Sequence, residues 1–82
     1  MSNLILYYRD FCGYCKKVRD FLEAHQIEIP LKNIGKDPHA RTELLKKGGS
    51  TQVPCLLIDG SPLYESDDII EWVKDNLCQS KP

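Results

Sequence analysis

Cys12 and Cys15 stand three positions apart in Phe11-Cys12-Gly13-Tyr14-Cys15, after the apolar run Leu4-Ile5-Leu6-Tyr7-Tyr8 and ahead of an amphipathic stretch. If the run is a strand and the stretch a helix, Cys12 lies at the helix N-terminus. Free N–H groups and the positive end of the dipole favour a thiolate there. Cys15, about one turn further in, then reaches back toward it. The chemistry this supports is thiol–disulfide exchange, with Cys12 attacking and Cys15 resolving the mixed disulfide. Arg9 and Lys16 are candidates for lowering the Cys12 pKa below the free value of about 8.5; the plainer alternative is that both are solvated surface charges. A competing reading makes the pair half of a structural zinc site completed by Cys55, Cys78, His25 or His39. No second C-x-x-C and no histidine pair occurs at ligand spacing, so no metal site is expected.

The elements that must position these thiols follow from the hydrophobic pattern. Residues 3–8 are apolar almost throughout and β-rich, as in a central strand buried on both faces. From Tyr14 the apolar positions Val18, Phe21 and Leu22 recur at helical spacing, with Lys16, Lys17, Arg19, Asp20 and Glu23 on the other face, which predicts a helix over about 13–25. Ile27, Ile29 and Leu31 alternate with Glu28, Pro30 and Lys32, predicting a second strand. Pro30 lacks an N–H, so that strand belongs at a sheet edge, reached from the first by a right-handed crossover.

Asp37-Pro38 marks the N-cap and first position of a second helix, which Gly48-Gly49 ends. Residues 53–58, the turn Asp59-Gly60 and residues 61–64 read as an antiparallel hairpin. Ser66 is placed as the cap of a last helix with apolar positions Ile69, Ile70, Val73 and Leu77, Trp72 at their margin, and Asp67 and Asp68 in the first turn. The order is βαβαββα, an α/β architecture.

With 82 residues, one domain spanning 1–82 is expected, with a modest core. Eleven basic and 12 acidic residues leave a formal charge of -1, so nucleic acid is not an expected partner. No segment is long enough to cross a membrane, and the N-terminal run lacks the basic lead and cleavage site of a secretory signal. The expected compartment is cytoplasmic, where cysteines serve catalysis or metal binding more than structural disulfides.

The element order, with Cys12-Gly13-Tyr14-Cys15 after the first strand, Gln52-Val53-Pro54 before the third and Glu65-Ser66-Asp67-Asp68 opening the last helix, resembles the glutaredoxins of the thioredoxin-like superfamily. The resemblance implies a four-stranded mixed sheet flanked by three helices, and reduction of glutathione mixed disulfides and protein disulfides with glutathione as co-substrate. It implies Cys12 as nucleophile, Cys15 as resolving thiol, and a cis Val53-Pro54 bond facing them, with Val53 pairing its backbone with the cysteinyl part of glutathione. Ser66 and Asp67 match the positions that hold the γ-glutamyl end. Arg9 stands where the family usually has a lysine, and Arg41 and Gln52 are further candidates for the glycyl carboxylate. Tyr14 is a candidate to line the glutathione sulfur, and Tyr64 and Glu65 divide between hairpin packing and ligand contact.

Three departures stand out. Gly13 replaces a frequent proline, Gln52 a frequent threonine, and Tyr64-Glu65-Ser66 the usual glycine pair. Leu63-Tyr64-Glu65-Ser66 resembles the glutathione site of glutathione transferase N-terminal domains, but a complete transferase is not expected, because its helical second domain is not expected after Leu77. Some glutaredoxins lacking the motif proline hold a [2Fe-2S] cluster between two protomers through the first cysteine and two glutathiones. A cluster carrier ligated by Cys12, dimeric when loaded, is therefore the alternative to a monomeric reductase that acts on glutathionylated or disulfide-bonded proteins. Cys55 reads as core, and no role is expected for Cys78.

Overall fold

The computed structural model describes residues 3–77. The elements are β1 (Leu4–Tyr8), α1 (Gly13–Ala24), β2 (Leu31–Asn33), α2 (Pro38–Gly48), β3 (Cys55–Ile58), β4 (Ser61–Tyr64) and α3 (Ser66–Leu77). Together they form a four-stranded mixed sheet in the order β2-β1-β3-β4. β1 pairs parallel with β2 and antiparallel with β3, and β3 pairs antiparallel with β4.

The period-two geometry of the central strands sends side chains to opposite faces and explains their continuous apolar runs. Leu6 and Leu56, paired across β1 and β3, meet Val18 and Leu22 of α1 and Ile69 and Val73 of α3 on one face. Tyr7 and its partner Cys55 point the other way, onto Ala40 and Leu44 of α2. α1 and α3 therefore share one face, and their N-termini frame the end of the sheet where β1 delivers Cys12.

Several expected boundaries shift. The second strand spans only Leu31–Asn33. Ile29 is buried and Ile27 packs at the margin of the core, so their alternation anchors the crossover to the core instead of building a ladder. Pro30 sits just outside the strand and accepts a hydrogen bond through its carbonyl from the Leu6 N–H at 2.9 Å. The third strand begins at Cys55 because Pro54 has no N–H to offer, and the Val53-Pro54 bond is cis. α3 starts at Ser66 itself, and the residue just outside the helix is Glu65, whose carbonyl accepts from the Ile69 N–H at 3.0 Å. Leu77 is 41% exposed and so does not belong to the buried stripe of α3. α2 matches its signals, with the Asp37 carboxylate accepting from the His39 N–H at 3.0 Å and Gly49 closing the helix at φ 82.

One polar cluster ties α2 to the sheet. The buried Tyr7 hydroxyl donates to Glu43 Oε1 at 2.6 Å, and Lys32 Nζ donates to the same oxygen at 2.6 Å. Tyr64 Oη donates to the Gly48 carbonyl at 2.8 Å, where the helix passes close to β4. A Cβ at Gly48 would lie 2.7 Å from that hydroxyl, so the glycine permits the approach. Tyr64 thus serves packing between the hairpin and α2.

Candidate functional site

Cys12 occupies the N-cap of α1 with an extended backbone, φ -120 and ψ 112, and its Sγ accepts from the Cys15 N–H at 3.3 Å. The cap is made by the thiol that the sequence places there, and a thiolate accepts this bond better than a thiol does. Burial pushes the Cys12 pKa up. The hydrogen bond from the Cys15 thiol, the N–H groups of Cys15 and Tyr14, and the charge of Arg9 outweigh it, and the result lies below the ordinary cysteine value. Cys15 is fully buried, and burial first, then its hydrogen bond to Cys12, pushes it up to about 11. The two thiols are thereby made unequal: the accessible one is the more acidic, and the buried one holds its proton. Lys16 is spent elsewhere, in an i,i+4 ion pair with Asp20 at 2.7 Å, so Arg9 is the cation that acts on Cys12.

The left-handed residue Phe11, at φ 58, turns the chain from β1 into the helix. Its side chain is fully exposed beside Cys12 and lines, with Cys12, Gly13, Lys16, Arg19 and Asp20, a cleft of about 430 Å³. Because the ring makes no buried contact, Phe11→Gly should relieve the left-handed strain at no packing cost. The net gain expected is about 0.5–1 kcal/mol after the extra backbone entropy of glycine. Thermal denaturation should show a midpoint raised by a few degrees.

Gly13 has open space where a Cβ would point, so the absence of a side chain there is not imposed by crowding.

Arg9, Arg41, Gln52 and Val53, separated by more than 40 positions of chain, come together with Ile34 and Thr51 around a cleft of about 360 Å³. Among the described residues neither guanidinium has an ion-pair partner. Pro54 is buried and Val53 half-buried. Ser66 is buried at the start of α3, and Asp67 beside it is exposed and hydrogen-bonded to Lys17 of α1. Glu65 is exposed at φ 73, a left-handed conformation that glycine adopts without strain. The Tyr14 ring is 70% exposed and lines neither of these two clefts; its backbone N–H serves Cys12 instead.

Cys55 is fully buried, and burial pushes it up to about 11, which fits an inert core thiol. Cys78 lies outside the described residues. No group of three or more metal-ligating side chains occurs among the described residues, and no helix among them is long and apolar enough to cross a membrane. A cleft of about 720 Å³ lies away from the thiols, between Leu4, Ile27, Trp72 and Leu77, and contains none of the sequence-predicted site residues. Two residues that the sequence reading passed over also belong to this surface. Phe11 carried no signal beyond its place in the motif, and Lys17 was indistinguishable from the other charges on the outer face of α1.

Four strands in this order, three helices and a paired-thiol redox centre at the start of α1 define a thioredoxin-like protein. Within that class the chain belongs to the glutaredoxin family, whose model matches residues 4–63. It is 28% identical over 69 residues to glutaredoxin 3 of Escherichia coli K12, covering 84% of this chain and 83% of that one. It is also 28% identical to a glutaredoxin of Pseudomonas aeruginosa, covering 84% and 82%. Among solved structures, glutathione transferase Omega 3C from Trametes versicolor is similar over 98% of this chain and 36% of that one, with TM-score 0.79 and 26% identity. The holo form of glutaredoxin C1 from Populus tremula x tremuloides shares the fold, with TM-score 0.67 and 19% identity over 90% of this chain and 76% of that one.

Proposed function

We propose that this thiol oxidoreductase reduces glutathione mixed disulfides. The observation that carries the reading is the Cys12 thiol, capped by the Cys15 N–H and lowered in pKa, with the Arg9 charge linking it to a cleft that also holds Arg41 and Gln52. In the first step the Cys12 thiolate attacks the glutathione sulfur of R–S–SG; a Cys12–SG bond forms, the disulfide bond between the two substrate sulfurs breaks and RS⁻ leaves. In the second, a glutathione thiolate attacks the glutathione sulfur on Cys12, giving oxidised glutathione and returning the electron pair to Cys12. With a protein disulfide, Cys12 attacks one substrate sulfur, forming a mixed disulfide and releasing the other sulfur as thiolate. Cys15 then loses its proton and attacks Cys12 Sγ, breaking the mixed disulfide, releasing the second substrate thiolate and leaving a Cys12–Cys15 disulfide for glutathione to reduce.

Each part of glutathione has a counterpart on this surface. The glycyl carboxylate suits the unpaired guanidinium groups of Arg9 and Arg41 with Gln52. The cysteinyl backbone suits the backbone of the half-buried Val53, which lines this cleft before Pro54. The γ-glutamyl end suits Ser66, Asp67 and the adjoining Glu65 at the start of α3, where N–H groups receive a carboxylate. Tyr14, exposed two residues after the thiol, is the candidate to cover the glutathione sulfur.

The test is deglutathionylation of a mixed disulfide with glutathione as reductant, and separately with thioredoxin reductase. Turnover with glutathione is expected; turnover with the reductase alone would move the protein to a thioredoxin-like activity. Purified without oxygen, the protein is expected to be colourless and monomeric, and a brown dimer would move it to the cluster-carrier class.

A further inference from the structure

We infer that Lys17 is a specificity-determining residue, the side-chain partner that joins the N–H groups at the start of α3 in receiving the α-carboxylate of a γ-glutamyl ligand whose ammonium goes to Asp67; this rests on the glutathione reading above. The starting observation is the ion pair between Lys17 on α1 and Asp67 on α3. The other cations of that α1 face are committed within their own surroundings. Lys16 pairs with Asp20 at 2.7 Å, and the Arg19 guanidinium lies over the Tyr8 ring, 4.4 Å from its centroid. Lys17 is the one that crosses to the helix start at which Ser66 and Asp67 sit.

The pair is built to open. The Lys17 side chain is 52% exposed and that of Asp67 82%, so water competes for both charges and the bond between them is weak. The free α-amino acid end of a γ-glutamyl group carries one carboxylate and one ammonium on a single carbon. When such a group arrives, Asp67 exchanges the Lys17 ammonium for the ligand's, and Lys17 exchanges the Asp67 carboxylate for the ligand's. Two opposite-charge contacts replace one, and neither protein charge is left unpaired. A ligand that lacks either charge gains only one contact and still has to separate the pair. The Lys17–Asp67 couple therefore selects a zwitterionic end over a simple acid or a simple amine.

Calorimetry tests this with S-methylglutathione and with the same compound carrying 4-aminobutanoyl in place of γ-glutamyl, which keeps the ammonium and lacks the α-carboxylate. For S-methylglutathione, Lys17→Gln is expected to weaken binding about tenfold, Lys17→Arg to restore most of it, and the thermal midpoint to stay unchanged. For the 4-aminobutanoyl analogue, Lys17→Gln should bind as tightly as the wild type or tighter, having no ion pair to separate, so that removing the residue and removing the ligand group are not additive. Equal or tighter binding of S-methylglutathione by Lys17→Gln would overturn the assignment and leave the glutathione reading in place. No binding of S-methylglutathione by the wild type would remove both.

Discussion

Replacing the accessible thiol, Cys12→Ser, is expected to lower turnover of a glutathione mixed disulfide by roughly a thousandfold or more, because an alkoxide is not available at neutral pH to replace the thiolate. Cys15→Ser should keep glutathione-dependent turnover and lose reduction of protein disulfides, since only the second route needs an attack from inside the motif. A Cys15→Ser protein dead with glutathione would contradict the monothiol route.

The geometry adds a sharper expectation. The Cys15 thiol donates to Cys12 and helps to hold its pKa down, together with the backbone N–H groups and Arg9. Serine at that position keeps a donor, whereas Cys15→Ala removes it. The rate of alkylation of Cys12 against pH should therefore have its midpoint below the ordinary cysteine value in the wild type. The midpoint should remain low in Cys15→Ser and move up in Cys15→Ala. Arg9→Ala should move it in the same direction. An identical midpoint in all four proteins would show that the helix N-terminus alone sets the thiol.

The second large effect lies at Glu43, away from the thiols. Its carboxylate accepts from Tyr7 Oη and Lys32 Nζ and faces Lys47 at 3.5 Å. The hydrogen bond from Lys32, then that from Tyr7, holds its pKa at about 2, below the ordinary 4.5. Burial first, and then the Glu43 carboxylate, pushes Tyr7 above the usual tyrosine range. Because the folded-state pKa is the lower one, the stabilisation is fully present above about 4.5 and is lost as pH falls through about 2.

Glu43→Ala leaves the buried Tyr7 hydroxyl without its acceptor and should cost about 2 kcal/mol, a fall of roughly 10 °C in thermal midpoint for a chain of this size. Glu43→Gln retains an acceptor and should cost less, but it should flatten the dependence of stability on pH between about 4.5 and 2. Equal slopes for wild type and Glu43→Gln in that window would show that the carboxylate is not held as the structure describes. Urea unfolding at a series of pH values measures both quantities.

How much was readable in advance differs from residue to residue. The boundaries that rest on backbone chemistry came out close to expectation: Asp37-Pro38 and Gly48-Gly49 bracket α2, and Asp59-Gly60 turns the hairpin. The misplaced ones were drawn from hydrophobic periodicity or from residue type alone. Ile27 and Ile29 alternate as a strand does, yet they pack as part of a crossover, because burial of an apolar residue requires no ladder. Ser66 resembles an N-cap by type, but Glu65 stands in that position in a left-handed conformation for which a glutamate gives no sequence signal.

The amino-acid sequence by itself determined the local chemistry of this protein. The spacing of Cys12 and Cys15 across a helix start places one thiol among free N–H groups and the other within a turn of it, and both depend on contacts only a few residues long. The tertiary structure decided which groups share that thiol's surroundings. Arg9, Arg41, Gln52 and Val53 meet at one cleft because the parallel β1–β2 pairing and the antiparallel β1–β3 pairing bring their loops to one end of the sheet. Lys17 meets Asp67 because α1 and α3 pack on the same face. Contacts of that kind join residues tens of positions apart, and charge alone does not say which partner each will find.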